Sequence, residues 1–233
     1  MRIDINPSRL VERIAASFVV FTRVSFGRDF RLPASSLMTA VEHWPLSAWF
    51  TSALQALTLL ALSRFLPWLA AIAVAIVLRM LVVERPQVFG KSYERLALVV
   101  YEVLLSACLL HLEPLTAAAT LFAAGPFSRM ITSQMVMMLP YAEEHETARY
   151  HIAFRKYSTL NGLWLFVQGI VPLLLMLMLT GGNWQWLVFI PCLMMYFSYM
   201  FVYRQYGGYT IDILLTVASL IEITLLLTAA LTL

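Results

Sequence analysis

Two carboxylates stand where the surrounding solvent should be lipid. Asp212 falls in the first turns of an apolar run from Thr210 to Leu231, and Glu222 lies ten residues further along the same run. An ionisable group at membrane depth costs several kcal/mol unless it is paired or hydrated, so it marks a functional site by default. The other reading is a structural acid paired with an arginine on a neighbouring helix, and both readings stay open from the residues alone. Gly207 and Gly208, just upstream, let the backbone bend and come close to a ligand. Arg129 sits inside another apolar run, Leu115–Leu139, too deep to belong to a loop. There it snorkels, pairs with an acid such as Asp212 or Glu222, or faces a cavity that holds an anion. A guanidinium's planar fork binds phosphate oxygens bidentately, so this chemistry points to a phosphate-bearing ligand.

Other groupings carry less. His145 and His151 lie near Glu143, Glu144 and Glu146, but their spacing fits neither the two-histidine helix of zinc proteases nor a finger, and they read as a solvated loop. His43 and His111 fall at the ends of apolar runs, where interfacial packing explains them. The methionines Met135, Met137, Met138, Met194 and Met195 read as adaptable helix packing. There is no Walker loop, no dinucleotide fingerprint and no Ser/His/Asp order.

The elements that must position these residues follow from composition. With 61% hydrophobic and 12% charged residues, the chain departs from the roughly 25% charge of soluble domains and reads as an integral membrane protein. Residues 1–233 form one polytopic membrane domain in this reading, since no polar block is long enough for a second one. Cys108 and Cys192 lie in apolar runs and are expected to be small buried hydrophobes, not a disulfide. No small-residue cleavage site follows the first apolar stretch, so no cleavable signal peptide is expected. No basic stripe with interleaved aromatics appears, which argues against nucleic acid as a partner.

The apolar runs predict an all-α bundle of about seven spans: Leu46–Leu62, Phe65–Val83, Leu96–Leu112, Leu115–Leu139, Leu160–Thr180, Trp184–Tyr203 and Thr210–Leu231. Ile14–Phe26 is too short and interrupted to span and reads as an amphipathic or re-entrant helix, with Trp44 and Trp49 at headgroup level. One side receives Arg2, Arg9, Arg13, Arg23, Arg28, Arg31, Arg85, Lys91, Arg95, Arg149, Arg155, Lys156 and Arg204, and the other only Arg64. Positive loops stay inside, so the N-terminus is expected in the cytoplasm and the lipid partner is the inner membrane.

Placed in that order, the motifs resemble the adenosylcobinamide-GDP ribazoletransferase (cobalamin synthase) family. Gly207-Gly208-Tyr209-Thr210-Ile211-Asp212 is similar to the family's Gly-Gly-x-Thr-Gly-Asp signature, with Glu222 at the spacing of a helical glutamate. Ser128-Arg129 followed by Leu139-Pro140-Tyr141-Ala142 resembles the family's Ser/Gly-Arg span ending in Tyr-Ala. Arg79 through Arg85 to Gly90 is similar to its Arg-Asp-Ser-Arg-x-Gly loop, and Phe21-Thr22-Arg23 to its N-terminal opening.

The resemblance implies Mg²⁺-dependent phosphoryl transfer, in which a ribazole hydroxyl attacks the phosphoryl of adenosylcobinamide-GDP and GMP leaves. It assigns catalysis to Asp212, Arg129 and Arg85, substrate binding to Gly207, Gly208, Gly90 and Thr210, and the metal to Asp212 and Glu222. The ligand would be a phosphorylated cobinamide or nucleotide, and a homo-oligomer is left open. The chain also departs from the family. The acidic block His-x-Asp-Gly-Leu-x-Asp is missing, since Val74–Val83 runs straight into Glu84, and the loop keeps only Arg85 and Gly90 of its pattern. Such transfer needs carboxylates to hold a metal that neutralises developing charge. Two classes therefore stand: a ribazoletransferase, or a non-catalytic relative that binds ligand or serves as a partner subunit.

Overall fold

In the computed structural model, described over residues 7–22, 33–83, 90–145 and 152–233, regular structure is helical, and only two isolated β-bridges interrupt that pattern among the described residues. Two helices precede the long ones: α1 (Pro7–Phe21) and the short α2 (Ala34–Met38). Then follow α3 (Trp44–Leu62), α4 (Trp68–Val82), α5 (Gly90–His111), α6 (Pro114–Met138), α7 (Thr159–Thr180), α8 (Trp184–Tyr206) and α9 (Ile211–Thr232). Each of the seven expected apolar runs is thus a helix. Their ends follow local chemistry: Pro114 opens α6 at a position where its missing N–H costs nothing. Ser158, Asn183 and Thr210 cap α7, α8 and α9, each accepting a bond from a first-turn N–H. α4 starts later than the apolar run because Ser63–Leu66 form turns and Pro67 takes the cap position.

Four segments are long and apolar enough to cross a membrane: Ala40–Leu62 (a 3-10 turn running into α3), Thr159–Thr180, Trp184–Tyr206 and Ile211–Thr232. Trp68–Val82 and Leu96–His111 are apolar but shorter. The 25-residue α6 has the length but carries Arg129 and several hydroxyl residues. It is buried almost continuously from Ala117 to Val136 and packs against α3, α7 and α9, so it is the central helix. Small residues Ala123, Ala124 and Gly125 line it, which lets neighbouring backbones approach closely. α9 also packs on α5 and α8. α7 and α8 instead turn large apolar groups outward, among them Trp164, Met178, Trp186 and Phe201.

The structure gives the two tryptophans their partners and corrects two expectations. Trp44 is fully buried, with its ring edge-on to Phe21 and Phe154, so it anchors the core. Trp49 is half-buried and donates from Nε1 to the Gln168 carbonyl at 2.6 Å, tying α3 to α7. Cys192 is exposed on α8, while Cys108 is buried as expected; both are free thiols. The N-terminal helix begins at Pro7 instead of Ile14. It turns Ala15, Ala16, Ser17 and Val20 inward against α3 and leaves Leu10 and Val11 exposed, as an amphipathic helix does.

Candidate functional site

The ends of α1, α4 and α6 and the start of α9 meet at one end of the bundle. The bridge between Thr22 and Val83 joins the ends of α1 and α4, and that between Tyr141 and Tyr209 joins the segment after α6 to the turn before α9. In the second, Tyr209 N donates to the Pro140 carbonyl at 2.9 Å and Ala142 N donates to the Tyr209 carbonyl at 3.0 Å. The Tyr209 hydroxyl accepts from Phe154 N at 2.9 Å, which pins the chain before α7 to the same clasp.

The two glycines of the sequence motif serve this clasp. Gly207 ends α8 with φ of +67°, a left-handed conformation that disfavours any side chain with a Cβ. At Gly208 a Cβ would meet the Pro140 carbonyl oxygen at 2.5 Å, so the approach of the two segments needs the missing side chain. Thr210 caps α9, its hydroxyl accepting from Ile213 N at 3.2 Å. Asp212 follows in the first turn, 4% exposed, where a carboxylate is favoured by the aligned peptide dipoles. Gly90 is the first residue of α5. Arg85 lies outside the described residues, as does His151.

Deeper in the bundle lies a cluster of charge. Arg79 of α4 donates from both terminal nitrogens to both oxygens of Glu222, at 2.5 and 2.8 Å. Its guanidinium also lies over the Tyr101 ring of α5, 5.0 Å from the centroid. Both partners are more than nine-tenths buried. Truncating one partner of such a pair strands the other and typically costs about 3–5 kcal/mol. Glu222 is therefore paired with an arginine of a neighbouring helix. The arginine is Arg79, which sequence reasoning treated only as part of a loop motif. Its signal was the same as that of Arg129, a cation within an apolar run.

Arg129 lies on α6 about 14 Å from the helix end at 1.5 Å per residue. It faces the bundle interior, 5% exposed. One terminal nitrogen donates to Ser47 Oγ at 2.6 Å, and the guanidinium lies 4.3 Å over the Phe21 ring. Among the described residues no carboxylate comes within ion-pair range of it. Glu222 and Arg79 act on it through their charge, but Glu222 is already held by Arg79. Asp212 and Glu222, ten residues apart on one helix, stand about 15 Å from each other along its axis. They cannot share one ion. No group of three or more metal-capable side chains occurs among the described residues, so these residues do not fit a Mg²⁺ held by the protein alone.

A file of rings links the clasp to Arg129. Tyr141 meets Tyr209, Tyr209 stacks on Phe154 at 6.2 Å, Phe154 meets Trp44 edge-on at 5.1 Å, and Trp44 meets Phe21 at 5.0 Å under the guanidinium. A second polar seam, missed from sequence, lies between the 3-10 turn Ala40–His43 and α7. There Glu42 accepts from Asn161 Nδ2 at 2.6 Å, pairs with Arg13 at 3.5 Å, and offers its carbonyl to Gln168 Nε2 at 3.2 Å. His43 is buried beside it, whereas His111 is exposed at the end of α5.

Compared with known proteins, the chain matches the family model described as cobalamin-5-phosphate synthase over residues 92–230, well over half its length. No curated protein and no solved structure matches it. The match takes in Arg129, the Tyr141 segment, the two glycines, Asp212 and Glu222. It leaves out the N-terminal helices, Arg79, Arg85 and Gly90. The chain belongs to the cobalamin-5-phosphate synthase family.

Proposed function

We propose that the chain binds a phosphate-bearing precursor of cobalamin, of the adenosylcobinamide-GDP type, at Arg129 below the clasp end of the bundle, and transfers it poorly or not at all when alone. The observation that carries this reading is a buried guanidinium with no carboxylate in ion-pair range among the described residues. A desolvated arginine with donors to spare is a strong partner for phosphate oxygens. In this reading Asp212, in the first turn of α9, would meet a metal carried in on the ligand's phosphates, and Glu222 serves Arg79. Among the described residues that leaves fewer carboxylates for transfer chemistry than the ribazoletransferase reading requires, which favours the relative that binds without turning over.

In this reading α3 to α9 cross the inner membrane as seven spans, with the N-terminus and the clasp end of the bundle on the cytoplasmic side. The arginine-rich loops support that orientation. Labelling of a cysteine placed at Ser92 from the periplasm would refute it. Function is tested by complementation of a strain lacking its own cobalamin synthase, with Asp212→Asn alongside. The expected result is little or no growth; robust growth that depends on Asp212 would restore the transferase reading and make Asp212 a metal-facing residue.

A further inference from the structure

The cluster holds one acid between two arginines. Glu222 commits both oxygens to Arg79, and its remaining charged neighbour is Arg129. Arg79 is further supported by the Tyr101 ring and by the charge of Glu102. Arg129 is left with a neutral hydroxyl and an aromatic face. We infer that Arg79 is a positioning residue: by clamping Glu222 it keeps that acid off Arg129 and so leaves the Arg129 fork for the anion of a ligand. The inference rests on the reading of Arg129 as the anion-binding group and adds the device that keeps it available. α6 and α9 are in direct contact, so a Glu222 released from Arg79 has Arg129 as its next partner. An internal carboxylate would then compete with phosphate for the same fork. Close buried charge pairs couple by roughly 1.5–7 kcal/mol, which corresponds to about a tenfold or greater loss of anion affinity.

The test uses the full chain in detergent micelles, with inorganic pyrophosphate as the probe in a calorimetric titration. Wild type binds and Arg129→Met does not. Arg79→Met, with Arg129 intact, weakens binding about tenfold or more. Glu222→Gln does not weaken it, because no acid is left to compete, and the double variant Arg79→Met/Glu222→Gln returns to the wild-type range. Equal losses in Arg79→Met and Glu222→Gln, or no rescue in the double variant, would overturn the inference while the reading of Arg129 stands. If wild type fails to bind, or Arg129→Met binds like wild type, that reading itself falls and takes the inference with it. A ligand-free measurement gives a second check. Arg79→Met should lower the unfolding temperature less than Glu222→Gln does, since the first lets Glu222 re-pair and the second leaves two buried cations without an acid. The reverse order would overturn the inference.

Discussion

The clasp at the start of α9 and the charge cluster three turns deeper on the same helix are built from opposite materials. The clasp is made of main-chain bonds, two glycines and a threonine cap, and it places Asp212 without asking any side chain to be charged. The cluster is made almost wholly of side-chain charge: a bidentate arginine–glutamate pair and a second arginine held by a hydroxyl and a ring. Near the end of a bundle, backbone geometry can position a residue because the chain turns there. In the middle of a helix the backbone bonds are already used, and only side chains can reach a neighbour. The motif residues Gly207, Gly208 and Thr210, which the family resemblance assigns to substrate, thus each have a structural task in shaping the turn.

That contrast sets where each region breaks. The largest expected loss is in the cluster. Glu222→Leu should cost about 3–5 kcal/mol in unfolding by denaturant, because it leaves Arg79 buried without its acid. Replacing both partners with Met and Leu should restore most of that stability. A double variant no better than the single one would remove the pair from the account of the cluster. Next comes Gly208→Ala, which forces a Cβ against the Pro140 carbonyl and should cost about 1–3 kcal/mol. Hydrogen exchange should rise at the amides of Ala142 and Tyr209 and stay unchanged at residues 219–225 of α9. Faster exchange in both places would mean that clasp and cluster open as one unit. The smallest expected effect is Thr210→Ala, about 1 kcal/mol for a lost cap, with faster exchange at the Ile213 amide.

The helices were legible in the sequence because apolar runs and their punctuation are local signals. All seven runs appear as helices, and Pro114, Ser158 and Thr210 mark starts where their chemistry predicts. Partnerships were not legible. Glu222 and Arg79 are 143 residues apart, and nothing in either run says which arginine meets which acid. Trp44 looked interfacial because it opens an apolar run; it is buried because α1 and the segment before α7 fold over it, bringing Phe21 and Phe154 to its ring. Gly208 could be seen as a flexible residue, but the Pro140 carbonyl that demands it comes from another part of the chain.

The central claim is that Arg129 binds a phosphate-bearing ligand. It is tested most directly by titrating adenosylcobinamide-GDP into the full chain in lipid nanodiscs, as wild type and as Arg129→Met, with the unfolding temperature of each variant recorded. The account predicts saturable binding by wild type and loss of that binding in Arg129→Met while the fold persists, since Arg129 is in no ion pair whose partner its removal would strand. Binding of equal strength in both proteins would contradict it.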